Sequence, residues 1–281
     1  MRYARVAVLV ILGVCAAADV QHLAAQTVTL QIRPRLGDTL RMRLDQQTEM
    51  TGVRRTSNGD ANATAVATVV MFSRAIVEGE SANGTNVLAV TDSVQMSSSD
   101  GRARAAIEQA KAQMRGQRVH FRVSPDGTVG LPGSDDPATR DVAQVVSLMP
   151  AAFPRGPIQV GDGWSREMPL PIDTQFGADL SGRLRVSFRF DSLGHGREWA
   201  YVSMRGEAEP ATGPGSVSGT VLEKGFVTGT MVIDQRRRWL TESWFDIVVN
   251  STVTPASSVG GVGETHVQMH ITQHMHTIER R

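Results

Sequence analysis

Arg183-Leu184-Arg185-Val186-Ser187-Phe188-Arg189-Phe190 decides the fold class. Its apolar side chains fall on every second residue, with arginine and serine between them. A two-residue period puts one set of side chains in a core and the other in water, which is the signature of an antiparallel strand wet on one face. The same alternation recurs at Val28, Leu30 and Ile32, at Leu40, Met42 and Leu44, at Val119, Phe121 and Val123, and at Ala200, Val202 and Met204. Each of these runs reads as a half-exposed strand.

Turn residues separate the runs. Gly79 to Gly84, with Asn83-Gly84, joins a strand around Val69 to Val77 to one around Val87 to Met96. Ser124-Pro125-Asp126-Gly127 and Leu193-Gly194-His195-Gly196 do the same further on, since glycine, asparagine, aspartate and proline supply the dihedrals that tight turns require. About ten strands in hairpin succession make a meander the economical topology.

Two stretches keep a helical period instead. Asp100 caps a helix from Arg102 to Arg115, with Ala103, Ile107, Ala110 and Met114 on one side and Gly116 past its end. Asp136 caps a second, opened by Pro137, with Val142, Val145, Val146 and Met149 on one side and Pro150 as its stop. Both apolar stripes are narrow and call for one sheet face to lie on. The expected class is therefore mainly β (α+β), a large antiparallel sheet of about ten strands with two short helices packed on one face.

The N-terminus reads as an export signal. Arg2 and Arg5 precede an apolar run from Val6 to Ala18, too short for a hydrocarbon core of ~30 Å that needs roughly 20 apolar residues. Small residues follow at Ala16 to Ala18 and at Ala24 and Ala25, giving two candidate cleavage points, of which the one near Ala25 leaves no polar stub ahead of the first strand pattern. Cys15 is the sole cysteine, and the bulky Val14 before it argues against acylation, so the thiol is discarded with the leader. The mature chain then has no disulfide, thiolate site or cysteine nucleophile. Residues 1–26 are expected as the cleaved signal and 27–281 as one β-rich domain in two lobes, 27–131 and 158–281, joined by the second helix and a proline-rich linker. The expected location is the periplasm or outer membrane, or outside the cell, with no transmembrane segment after cleavage.

Charge excludes one partner class. Of 29 basic and 28 acidic residues the leader holds Arg2, Arg5 and Asp19, so the remainder is neutral with histidine uncharged. No basic excess exists to displace counterions from a phosphate backbone, and nucleic acid is not an expected partner. The mature basic residues are arginine apart from Lys111 and Lys224, a bias that a GC-rich genome explains.

Each half opens on the same short motif. Leu36-Gly37-Asp38-Thr39-Leu40 precedes the first lobe and Val160-Gly161-Asp162-Gly163-Trp164 the second. Gly-Asp is a common turn opening, so a duplicated unit and a repeated turn type both fit. A Val-Gly-Asp-x-Trp turn after a proline-bearing linker, together with a strand closing on Pro-Asp-Gly (Phe121 to Val129), resembles a group of exported bacterial β-rich proteins. That group is similar to the lipoprotein-carrier superfamily. The resemblance implies an open, curved half-barrel whose short helices cover the concave side, with acyl chains held in the apolar concavity. It implies no fixed ligand motif.

Catalytic constellations are missing from the sequence. No GxSxG, HExxH, GxxxxGK or GxGxxG occurs, and Asp135 and Asp136 sit beside Pro137, where helix capping accounts for them. The expectation is a protein without catalysis and without a cofactor. A C-terminal strand places His266, Gln268, His270, Thr272, His274 and His276 on one face. Alternate residues stand ~6.6 Å apart, so His274 and His276 could share an ion at ~2.0 to 2.1 Å, and His270, His274 and His276 are the metal candidates. With no carboxylate or thiolate evident beside them, no specific metal site is expected. The four tryptophans read as core, and Arg236-Arg237-Arg238 as a solvated loop.

Two function classes follow. One is a carrier or sensor of a lipid or other apolar small molecule, in a cavity lined by Ile107, Met114, Val142 and Val146, residues that ordinary helix-on-sheet packing would equally employ. The other is an exported structural or protein-interaction module with a closed core, whose partner is another envelope protein.

Overall fold

The computed structural model describes residues 27–56, 59–130, 153–169, 182–210, 220–253 and 265–278. The expected signal and the helix from Pro137, with Val142 and Val146, lie outside the described residues. One 11-stranded antiparallel sheet dominates. Its strands are β2 (Thr39–Thr56), β3 (Gly59–Ser81), β4 (Gly84–Ser98), β5 (Arg118–Val123), β6 (Val129–Gly130), β8 (Gly163–Pro169), β9 (Gly182–Gly194), β10 (Trp199–Pro210), β11 (Thr220–Asp234), β12 (Trp239–Val253) and β13 (Thr265–Thr277). A second sheet pairs only β1 (Thr27–Val28) with β7 (Ile158–Gln159). Among the described residues the large sheet is open, with β6 and β8 as its edges. The protein is mainly β, and the hairpin succession expected from the turn signals is found as two meanders rather than one.

Spatial order places β2 beside β13 in the middle of the sheet. From β2 one meander runs outward through β3, β4 and β5 to β6, and from β13 another runs through β12, β11, β10 and β9 to β8. The first long strand and the last are thus hydrogen-bonded along their length, from Arg54 opposite Thr265 to Met42 opposite Thr277.

The sheet curls enough for its two wings to share a core. Val87, Phe121 and Val123 from one wing belong to the same buried cluster as Leu184, Val186 and Phe188 from the other. Bulges between Phe72 and Ser73, Tyr201 and Val202, and Val232 and Ile233 raise the local twist. Gly206 and Gly229 face inward, in register with Val227 and Met204, and side chains of neighbouring strands close over them. A Cβ on Gly206 would stand 2.6 Å from the Arg185 carbonyl oxygen and 2.8 Å from a Val227 methyl, so the bend there requires glycine.

The N-terminal segment corrects one strand reading. Val28 is paired, but Leu30 and Ile32 lie in an extended stretch outside any ladder. Both are nevertheless core residues, 2% and 4% exposed. Ile32 N donates to the Pro125 carbonyl in the β5–β6 turn at 2.9 Å, and Arg33 N to the Arg238 carbonyl in the β11–β12 turn at 2.8 Å. The stretch therefore straps one wing to the other. The alternation was real, but its burial comes from lying across the curl.

The two Gly-Asp turns are built alike. Gly37 N donates to the Val77 carbonyl at 3.0 Å while Val77 N donates to the Asp38 carbonyl at 2.9 Å; Gly161 and Asp162 hold Phe190 in the same way, at 2.7 and 2.9 Å. Each aspartate carboxylate accepts from the backbone N three residues earlier, Arg35 at 3.1 Å and Gln159 at 2.8 Å. Both glycines have positive φ, +85° and +97°, a region that favours glycine. Each turn leads into a strand, β2 or β8, and is clamped by the strand that follows it, β3 or β9.

The first expected helix forms. A 3-10 turn, Gly101–Ala103, runs into α1, Arg104–Met114, and the Asp100 carboxylate accepts from Arg102 N at 2.9 Å. Ile107 and Met114 are half-buried on its sheet-facing side, and no residue of the helix is fully buried. Met114 packs on a small cluster of Leu44, Met71 and Val94.

Candidate functional site

The strand register sorts the long strands into an inner apolar face and an outer polar one. On the outer face β13 presents His266, His270, His274 and His276, as its period predicts. His274 lies directly opposite Asp45 on β2 and Trp244 on β12; His276 lies opposite Arg43 and Glu242.

These histidines are not bare. His270 Nε2 is 3.0 Å from Asp246 Oδ2, and His274 Nε2 is 2.9 Å from Glu242 Oε1. The expectation that no carboxylate stands beside them is corrected, because antiparallel pairing brings acidic residues of β12 and β2 alongside. The rings of His274 and His276 are 4.9 Å apart. Asp45, His274 and His276 each offer one ligand atom, and the three atoms lie within 4.8 Å of one another. Arg43 donates to Asp45 Oδ1 through Nη2 at 2.7 Å and Nε at 3.1 Å, and this hydrogen bond, with the carboxylate charge, raises the guanidinium above its ordinary pKa. Burial lowers the His276 pKa, as does its neighbour His274.

A cavity of about 760 Å³ adjoins this cluster. Its walls include Arg35 and Asp38 from the first Gly-Asp turn, Asp234 and Arg236 from the β11–β12 turn, and His274 and His276. The Arg236-Arg237-Arg238 run forms that turn, with the Asp234 carboxylate accepting from Arg236 N and Arg237 N at 2.8 Å each.

On the inner face, the half of the sheet remote from the strap carries small and flexible apolar residues, with the polar Gln46, Thr48 and Gln273 among them. The register aligns Met50 with Ala65 and with Met269, and Val69 with Met96. Met50, Ala65, Ala67, Val69 and Met96 are half-buried and Ala61 and Ala63 exposed, whereas inward residues of β9 and β10 such as Val186 and Ala200 are fully buried. Met114 on α1 packs against the small Leu44, Met71 and Val94 cluster, as do Val69 and Met96, and Ile107 is half-buried on the same helix. The alanines at every second position from 61 to 67 carry a strand period that large apolar residues made easier to see elsewhere.

The tryptophans divide. Trp239 is buried, and Trp164 stacks on Phe188 at 5.4 Å with its plane tilted by 10°, so both serve the core. Trp244 is a correction: it faces outward beside His274 and is 42% exposed.

Among the described residues no helix is long and apolar enough to cross a membrane. No family model and no curated protein matches the chain. Among solved structures, lipovitellin, studied for its lipid-protein interactions, aligns with a TM-score of 0.51 at 13% identity over 87% of this chain and 25% of that one. An outer membrane channel from Pseudomonas putida F1 aligns at a TM-score of 0.22 and 9% identity, over 89% of this chain and 98% of that one. An outer membrane lipoprotein-sorting protein domain from Vibrio parahaemolyticus aligns at 0.15 and 9%, over 84% of each. The chain spans a quarter of the lipovitellin chain, and that likeness establishes the fold: a large, curved, open antiparallel sheet of the kind the resemblance implied.

Proposed function

We propose that this protein is a non-catalytic, exported carrier or sensor of an apolar molecule of lipid class, held against the inner face of its sheet. The observation that carries the reading is the strip Met50, Ala65, Ala67, Val69 and Met96, apolar and only half-buried on the face where Val186, Phe190 and Ala200 of β9 and β10 are fully buried. Contiguous apolar surface left accessible on a folded protein marks a ligand or partner site. Small alanines leave room above the sheet, and methionine adapts to chains of variable shape. Lipovitellin, which shares the fold, is described by its interactions with lipid. The envelope location follows from the signal-like N-terminus and belongs to the same proposal.

Titration of the full chain with a fluorescent fatty acid tests it. Saturable binding is expected, weakened at least about tenfold by Val69→Glu, because the acyl chain would then lie against a charge that apolar surroundings cannot solvate. Unchanged far-ultraviolet circular dichroism would show that the sheet survives. Failure to bind fatty acid or any apolar probe would favour a protein-interaction module with a closed core.

A further inference from the structure

We propose that Asp45, His274 and His276 bind one divalent transition-metal ion of the zinc class on the outer face of the sheet, at the rim of the cavity. Two neutral imidazoles and a carboxylate are a ligand set suited to zinc, nickel or copper rather than to calcium or magnesium. Three ligand atoms within 4.8 Å of one another need only small rotamer changes to reach the roughly 3.4 Å that separates ligands around a tetrahedral zinc.

Local detail fits an ion. Both Arg43 contacts fall on Oδ1 of Asp45 and leave Oδ2 clear of that guanidinium. Glu242 holds His274 through Nε2, the orienting carboxylate that metal-binding imidazoles usually carry. His276 Nδ1 is buried and has no hydrogen-bond partner among the described residues, a state that a buried ring nitrogen rarely tolerates. Three strands fix the geometry, since Asp45, His274 and Glu242 come from β2, β13 and β12. Both histidines also line the cavity, so an ion here would keep a coordination position open towards it, as non-structural sites do.

This site is on the opposite face from the apolar strip, so it stands or falls independently of the carrier reading. The test is calorimetric titration of the full chain, without a histidine tag, with zinc, and a visible spectrum with cobalt. One ion per chain at micromolar affinity or tighter is expected, with the intense d–d absorption of four-coordinate cobalt. Asp45→Asn, His274→Ala and His276→Ala should each weaken zinc at least about tenfold, while His270→Ala, on the same strand and face, should leave it within about twofold. No saturable zinc binding would overturn the proposal. So would zinc binding indifferent to Asp45→Asn, or lost equally in His270→Ala.

Discussion

Asp45 and His274 are direct partners across the ladder that joins β2 to β13. This pairing brings the beginning and the end of the chain together in mid-sheet, and everything distinctive about the outer face depends on it. A carboxylate from one end meets imidazoles from the other, and the two meanders become one continuous surface.

The proposed cleavage of a leader meets a structural constraint at Thr27 and Val28. Thr27 and Val28 pair with Gln159 and Ile158, and the strap follows at once, so a mature chain beginning after Val28 would lose a ladder. N-terminal sequencing of the protein from its native envelope should therefore begin between Asp19 and Thr27. A start at Met1, or a diacylated Cys15, would contradict the signal reading.

The strap should behave as core. Leu30→Ala removes a side chain that is 2% exposed where both wings converge, and truncations of that kind cost about 2–5 kcal/mol. Urea unfolding should show that loss with little change in slope. A cost below about 0.5 kcal/mol, as for ordinary surface substitutions, would mean that residues 29–34 lie on the fold without holding it.

Much of this arrangement was legible from residue periods, because strand alternation and helical spacing are local. Leu184, Val186, Phe188 and Phe190 are all buried, and the helix capped by Asp100 begins and ends within two residues of its expected bounds. What was not legible is non-local. Nothing near His274 in the chain announces Asp45, since a ladder between the first and last long strands is fixed by closure of the whole sheet. Leu30 and Ile32 alternate like a strand but are buried by crossing the curl, and Trp244 faces outward because its register follows Phe245 and Ile247 into the core. Residue type alone pointed it inward.

Curvature gives a third expectation. Gly206→Ala should destabilise by about 1–3 kcal/mol, the usual cost of forcing atoms into a packed interior, because its Cβ would meet the Arg185 carbonyl and Val227. Thermal melting monitored by circular dichroism reads the effect. A neutral outcome would show that the sheet can flatten at this point without loss.

His276 sets a pH dependence in metal-free buffer. Burial and His274 lower its pKa in the folded state, with Asp45 and Glu242 partly opposing them and Arg43 adding to the lowering. Near and below the ordinary histidine value of about 6.5 the unfolded chain takes up a proton that the folded imidazole resists. Stability from this group is thus intact above that pH, falls as pH drops through it, and levels off below the folded value. His276→Gln should lose less stability than the wild type between neutral and mildly acidic pH, measured by chemical denaturation with a chelator present. Parallel profiles would contradict the assignment.

The inner face carries the central claim, and what the protein holds when taken from its own envelope tests it most directly. Native mass spectrometry, with organic extraction of the same sample, should release a lipid or other apolar molecule in near-stoichiometric amount, and a charge at Val69 should reduce that load while the sheet remains folded. A protein recovered empty and monomeric, which also refuses fatty acids and fluorescent apolar probes, would contradict the account.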